Sequence, residues 1–188
     1  MEEIDRLADE FLSRIPSYVW DGGTLPVPIE EIADTHVGLL VRNVEDLAMA
    51  PGAPTLGPGQ SLSGLLLPTI GEIWVNAEEG RQWPARRRFT IAHELGHWRL
   101  HRDAEERAVH CRAGSIEPDA TNARTPLPPA EDEANFFAAA VLMPARLDQE
   151  QYVRSEREFS RLCARFGTSG AAMGRRLHAV IRPARPSS

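Results

Sequence analysis

The residues with the clearest chemical potential lie in the run His-Glu-Leu-Gly-His at positions 93–97. If this run is helical, His93 and His97 are one turn apart on the same face, where two neutral imidazoles can hold a zinc ion. Glu94 has the position that in this motif takes a proton from the attacking water. The pattern predicts metal-dependent hydrolysis, and the simpler competing interpretation is a pair of buried, hydrogen-bonded core histidines beside a solvated Glu94.

A catalytic zinc site needs a third protein ligand, and His101 is the nearest further histidine. It lies eight residues beyond His93, about 12 Å along the same helix, so one metal held by His93 and His97 cannot reach it. His101 is more typical of a helix C-terminus, where the dipole favours it. Its alternative role is contact with a ligand or with the substrate.

The acids that open the next helical segment are better candidates for the third ligand. Glu131 and Glu133 begin it, and small residues at 138–140 would let it pack closely on the first helix around Gly96. The simpler interpretation of such acids is that they complement the helix dipole. We predict Glu131 as the ligand, with Glu133 as the alternative, and Asn135 one turn later as the side chain that orients Glu131.

Two packed helices and a sheet are needed to position these side chains. Apolar residues cover most of the circumference of residues 84–101, which indicates a buried helix beginning at Pro84. Periodicity elsewhere predicts helices at 2–14, 29–35, 130–143, 155–166 and 169–180, and strands at 37–41, 62–67 and 72–76. The predicted fold is α+β and zincin-like, with a small twisted sheet packed on the HExxH helix and additional helices behind it.

The sequence also predicts structural roles for three further segments. The strand at 72–76 is predicted to be an exposed sheet edge that could hold a substrate as an added strand. Residues 103–129 lack strong periodicity and are predicted to form a long connection, in which His110 and Cys111 are a weaker option for the third ligand. The arginines at 86–88 are expected to form a solvated, partly paired face.

Composition and charge restrict the class of protein. The 188 residues suit one compact domain, and a net charge of −6 argues against broad nonspecific nucleic-acid binding, which needs a basic surface. Cys111 and Cys163 are far apart and do not indicate a disulfide framework. The N-terminus has no signal-peptide pattern, and no run approaches the roughly 18 apolar residues of a membrane span. We therefore expect a cytoplasmic protein with no membrane partner.

The chain is expected to consist of a zincin-like core at 1–146, a helical extension of the same domain at 147–182, and a tail at 183–188. The extension resembles a helix-turn-helix and carries local positive charge at Arg161, Arg165, Arg175 and Arg176. Because the extension is small and the whole chain is acidic, a structural or substrate-docking role is favoured over direct nucleic-acid binding.

Taken together, the motifs resemble the ImmA/IrrE family of metallopeptidases. The resemblance rests on residues 88–97 with Leu100 and His101, on residues 131–135 with the segment that continues to Pro144, and more weakly on residues 166–177. It extends over about residues 25–180.

This resemblance implies a gluzincin-like site with His93, His97 and Glu131 as zinc ligands and Glu94 as general base. It also implies a substrate, because members typically cut a helix-turn-helix repressor and so release genes of phages, mobile elements or stress responses. The alternative to a zinc-dependent endopeptidase is a nonproteolytic zinc-binding regulator that acts by binding a repressor or DNA.

Overall fold

The computed structural model describes residues 2–55, 60–101, 110–115, 128–147, 151 and 158–180. The helices are α1 (Glu2–Ser13), α2 (Ile29–Glu31), α3 (Ala77–Gln82), α4 (Pro84–Leu100), α5 (Pro129–Leu142), α6 (Phe159–Phe166) and α7 (Gly170–Val180). The strands are β1 (Leu40–Val44), β2 (Gln60–Leu67), β3 (Glu72–Asn76) and β4 (His110–Ser115). A π-helical segment (Ile32–Val37) continues α2, and a 3-10 turn (Leu47–Met49) follows β1. The predicted α+β class is confirmed.

The four strands form one mixed sheet in the order β1-β3-β2-β4. β2 and β3 form the predicted antiparallel hairpin, with Leu66 opposite Ile73, while β1 runs parallel to β3 on its other side. The prediction that 72–76 is an exposed edge is therefore wrong, because β3 is paired on both sides. Among the described strands, the edges are β1 and β4.

The first strand begins three residues later than predicted. The π-helical segment continues through Val37 and ends at Gly38, whose φ of 80° is in the left-handed region and whose N–H donates to Ala33 O. Pairing with β3 can start only after this turn, at Leu40. The apolar residues at 37–41 thus belong partly to the helical end and partly to the strand.

The predicted connection at 103–129 contains β4, which the sequence analysis missed. β4 pairs antiparallel with β2, with His110 opposite Leu66 and Cys111 opposite Leu65. In its residues, His-Cys-Arg-Ala-Gly-Ser, polar and apolar types alternate only over the first four, and no β-branched or aromatic residue is present. An edge strand can be held by backbone pairing on one side, so the hydrophobic pattern that predicts a strand is weak here.

Helix α4 packs between the sheet and α5. All its residues from Thr90 to His97 are buried, as the sequence predicted for this helix, and Ile91 and Leu95 share one hydrophobic core with Leu66 and Ile73. The opposite face of the sheet covers a smaller cluster formed by Leu47, Ala50, Leu62 and Leu65. This packing fixes α4 against the sheet along the length that carries the motif.

The first and last helices pack on α5. The rings of Phe11 in α1 and Phe137 in α5 are 5.8 Å apart. Arg176 of α7 donates from Nε to Met143 O over 2.9 Å and forms an ion pair with Asp5 of α1. The C-terminal helices are therefore joined to the same body as the motif helix.

Helices α6 and α7 follow one another through Gly167, whose φ is 61°. The predicted start of this region at 155–157 and the predicted tail at 183–188 lie outside the described residues. None of the described helices is both long enough and apolar enough to cross a membrane.

Candidate metal centre

Helix α4 presents the motif side chains from its second half. The helix begins at Pro84 and ends at Leu100, and the N–H of His101 donates to His97 O over 2.9 Å. His93 and Glu94 are 0% exposed and His97 is 1% exposed. The motif histidines are thus held in the interior on a helix, one turn apart, as their spacing predicts.

Helix α5 brings Glu131 to both imidazoles. Glu131 Oε2 lies 3.2 Å from His93 Nε2, and Glu131 Oε1 lies 3.1 Å from His97 Nε2. The two Nε2 atoms are 3.1 Å apart. The structure therefore brings together the three residues predicted as ligands, and their donor atoms all lie within 4.8 Å of one another.

These distances suit a single small cation. Zinc bonds of about 2.0–2.1 Å in a tetrahedral arrangement place neighbouring ligand atoms roughly 3.3 Å apart. The three observed separations of 3.1–3.2 Å are close to that value. Two imidazoles and one carboxylate, with a fourth position left for water or substrate, are also a donor set found in catalytic zinc sites. The His93–His97–Glu131 group could therefore hold a metal ion.

Glu131 is held in its charged form. Burial raises the pKa of its carboxyl group, but hydrogen bonding and charge attraction from His93 and His97 outweigh this effect and hold the pKa below its ordinary range while those imidazoles carry protons on Nε2. A bound cation would take the place of those protons. The side chain is 26% exposed. An ionised carboxylate at neutral pH is the form of this residue that binds a cation.

Asn135 contacts a different partner from the one predicted. Its Oδ1 lies 3.1 Å from Nδ1 of His93, whereas the sequence analysis predicted that it would orient Glu131. Because an amide oxygen only accepts, Nδ1–H of His93 is the donor. This hydrogen bond leaves the lone pair of His93 Nε2 directed toward Glu131, as a metal ligand requires.

Glu133, the alternative third ligand, does not join the group. Its Oε2 lies 2.8 Å from His101 Nε2, and its side chain is 49% exposed. His101 in turn places Nδ1 3.2 Å from Nδ1 of His97. His101 is therefore adjacent to a candidate ligand without being one. The side chains of His110 and Cys111 lie outside the described residues, so the structure does not place the weaker option.

Strand β2 passes directly over the general-base candidate. A Cβ atom added to Gly64 would lie 3.3 Å from Glu94 Oε1 and 2.3 Å from Thr90 Cγ2. The backbone of β2 therefore approaches α4 to a distance that only glycine allows. Gly64 is not among the residues predicted from the sequence, although a glycine inside an apolar strand is a signal of such an approach.

Gly96 has the packing role that the sequence analysis expected, with a different partner. A Cβ atom added there would lie 3.1 Å from Cα and 3.2 Å from O of Ala134. The contact is thus with the backbone of α5 at Ala134, earlier than the predicted small residues at 138–140. It lies between Glu131 and Asn135 and sets the distance between the two helices that supply the site.

The arginines at 86–88 are more fully paired than predicted. Arg86 Nη2 donates to Ser63 Oγ over 3.0 Å, and Arg88 Nη2 donates to Val27 O over 2.6 Å. Arg87 forms a bidentate pair with Glu30 over 2.6 and 2.8 Å. These side chains tie the start of α4 to neighbouring segments.

A solved structure with a similar fold is a Mycobacterium tuberculosis transcriptional regulator. The two chains are 18% identical and superimpose with a TM-score of 0.58 over 97% of this chain and 49% of the other. This chain thus spans about half the length of that protein. At this identity the likeness concerns the fold. Among curated protein sequences, none matches this chain significantly.

The family comparison covers the candidate site. The family Peptidase_M78, described as the IrrE N-terminal-like domain, matches residues 60–178, which is more than half of the chain. The match includes both helices that supply the His93–His97–Glu131 group. The resemblance stated from the sequence motifs is confirmed: the chain belongs to the IrrE N-terminal-like domain family.

Proposed function

We propose that this protein is a zinc-dependent endopeptidase. The observation that carries the proposal is the convergence of His93, His97 and Glu131 on one point, with the buried carboxylate of Glu94 on the same helix. Two imidazoles and one carboxylate are a ligand set suited to catalytic zinc. Glu94 follows His93 directly and is not needed as a ligand, which leaves it available as a base.

Each residue of the site would have a separate role in hydrolysis. Bound zinc would supply Lewis-acid chemistry and lower the pKa of a water molecule to about 7. The Glu94 carboxylate would accept a proton from the attacking water and deliver it to the leaving amine. Asn135 would keep the lone pair of His93 Nε2 turned inward, and burial of the motif would strengthen the electrostatic interactions inside the site.

The proposed substrate is a helix-turn-helix transcriptional repressor, whose cleavage would derepress genes of a mobile element, a phage or a stress response. Support comes from the resemblance to the ImmA/IrrE family. The similar M. tuberculosis protein is named a transcriptional regulator, which favours a second candidate function. In that case this chain would be a zinc-binding regulator that acts by binding a repressor or DNA without cutting it.

A Glu94→Gln variant separates the two functions. Glutamine keeps the size of the side chain and removes the base, so zinc and repressor binding should persist while cleavage falls by at least about 100-fold. The assay incubates zinc-loaded protein with purified helix-turn-helix repressors of its host, and mass spectrometry identifies new peptide ends. Asp132→Asn, a change at an exposed acid on α5, is the matched control and should cut normally.

Cleavage by the wild type and not by E94Q supports the endopeptidase. Full derepression in cells that carry E94Q, with an intact repressor, would instead establish the nonproteolytic regulator. Zinc content measured for both proteins ensures that a loss of cleavage is not a loss of metal.

A further inference from the structure

Two side chains extend outward from the candidate metal centre toward solvent. Glu133 Oε2 lies 2.8 Å from His101 Nε2, and His101 Nδ1 lies 3.2 Å from His97 Nδ1. The side chain of Glu133 is 49% exposed and that of His101 is 13% exposed. We call His101 and Glu133 the outer bridge. It ends on the imidazole whose other nitrogen, Nε2, faces Glu131.

The carboxylate at the outer end sets the direction of the first hydrogen bond, and with a neutral His101 it also sets the direction of the second. A carboxylate accepts, so Nε2–H of His101 donates to Glu133. Nδ1 of a neutral His101 is then an acceptor and receives Nδ1–H of His97. His97 consequently carries its hydrogen on Nδ1 and directs the lone pair of Nε2 toward His93 and Glu131. This is the form of the imidazole that binds a metal.

The two candidate histidine ligands donate their Nδ1–H hydrogen bonds to different kinds of acceptor. His93 donates to the neutral amide oxygen of Asn135, whereas His97 donates to an imidazole that is itself bonded to a carboxylate. Helix α5 supplies Glu131 and both outer acceptors, Glu133 and Asn135, within five residues. One helix therefore sets the orientation of both imidazoles as well as the third ligand.

We propose that His101 and Glu133 are positioning residues that hold His97 in the tautomer and ring orientation that bind zinc. The proposal rests on the zinc site of the proposed function and not on the cleavage of a peptide. His101 is the first residue after α4, four positions beyond His97, and it reaches the site through the imidazole of His97. Such an outer hydrogen bond fixes the ring of a ligand and raises its basicity.

The zinc affinity of three variants tests this arrangement. His101→Leu removes the acceptor for His97 and should raise the zinc Kd by about 10–100-fold. His101→Asn places an amide oxygen where Nδ1 was and should recover most of that loss. Glu133→Gln keeps an acceptor without the charge, so its effect should be smaller than that of H101L. Competition with a chromophoric chelator gives each Kd, and Asp132→Asn is the matched control.

Proton NMR of the zinc-loaded protein supplies a readout that a packing role would not change. The Nδ1–H proton of His97 should exchange slowly with water in the wild type and in H101N, and rapidly in H101L. Equal zinc Kd values for the wild type and H101L would overturn the proposal. So would an H101N variant as weak as H101L, because only packing would then explain the loss.

Failure of the proposal and failure of the proposed function give different results. A wild-type protein that binds zinc and cuts no peptide contradicts the endopeptidase, while the order of the variant affinities still decides the role of the outer bridge. A wild-type protein that binds no zinc contradicts both.

Discussion

Each side chain of the site is defined by the atom that it turns toward the centre. His93 and His97 present Nε2, because their Nδ1 atoms contact Asn135 and His101. Glu131 presents one carboxylate oxygen to each imidazole and is ionised at neutral pH. Without a cation or shared protons, these lone pairs would repel one another at 3.1–3.2 Å. The hydrogen bonds around the site therefore favour a bound metal.

Removing the charge of Glu131 tests the third ligand. In Glu131→Gln the side chain keeps its size but loses its negative charge, so the zinc Kd should rise by more than the roughly 10–100-fold that a lost supporting contact costs. Chelator competition measures this change. Asp132→Asn removes a neighbouring exposed charge and should leave the Kd within about twofold of the wild type. Equal effects of the two substitutions would mean that only the general charge of α5 matters.

At the scale of residues, the sequence predicts the candidate ligands but not the residues that orient them through hydrogen bonds. His93 and His97 follow from helical spacing, and Glu131 follows from the need for a carboxylate on the next helix. The separate roles of Glu133 and Asn135 depend on how α5 is rotated against α4. That rotation is set by the backbone contact at Gly96, which helical periodicity does not reveal.

At the scale of elements, the contact between α4 and α5 controls the geometry of the site. Gly96→Ala should destabilise the fold, because its Cβ would meet the backbone of Ala134 at 3.1–3.2 Å. Overpacking of this kind costs about 1–3 kcal/mol, against a gain of up to about 1 kcal/mol in helix propensity. We expect a net loss of about 1–2 kcal/mol in the free energy of unfolding.

Gly174→Ala is the matched control for this substitution. Gly174 is an exposed position in α7, and an added Cβ would meet only Phe159 Cζ at 3.9 Å. The change should therefore stabilise the protein by up to about 1 kcal/mol. Urea denaturation compares both variants with the wild type. A G96A protein as stable as G174A would show that the close approach of the two helices is not required.

The elements that sequence patterns predict well are those with an apolar face. Helices α1, α4 and α5 and the β2–β3 hairpin lie within a few residues of their predicted bounds, since burial imposes their periodicity. Strand β4 was missed because backbone pairing with β2 holds it. The order of the strands was also missed, since the parallel pairing of β1 with β3 depends on the chain path between them.

At the scale of the whole molecule, ion pairs connect segments that are distant in sequence. Arg87, near the start of α4, forms a bidentate pair with Glu30 of α2. The hydrogen bond from Arg87 lowers the pKa of Glu30, although burial opposes it. A lowered folded-state pKa means that the pair stabilises the fold above the unfolded pKa and that this contribution is lost as pH falls through the folded pKa.

The pair predicts a pH-dependent effect of Glu30→Gln. At pH 7 the variant should be about 1 kcal/mol less stable than the wild type, because the pair is partly exposed. The difference should shrink from about pH 5 downward as Glu30 of the wild type becomes protonated. Denaturation midpoints measured from pH 7 to pH 3 give this difference. A constant gap across the range would mean that the pair contributes through packing and not through charge.

The architecture at this scale follows only in part from the sequence. The α+β class follows from the mixture of helical and strand periods. The attachment of α7 to α1 and α5 through Arg176 could not be predicted from the sequence, because it joins residues that are far apart along the chain. The similar M. tuberculosis protein is about twice as long as the aligned region, so the fold can form part of a larger protein.

X-ray absorption at the zinc edge tests the metal centre most directly. The zinc-loaded protein should show only nitrogen and oxygen neighbours at about 2.0–2.2 Å, with the scattering pattern of two imidazoles and one carboxylate. The imidazole signal should fall to that of one imidazole or less in a His93→Ala variant and be unchanged in E94Q. A sulfur neighbour at about 2.3 Å, or zinc bound with fewer than two imidazoles, would contradict a centre formed by His93, His97 and Glu131.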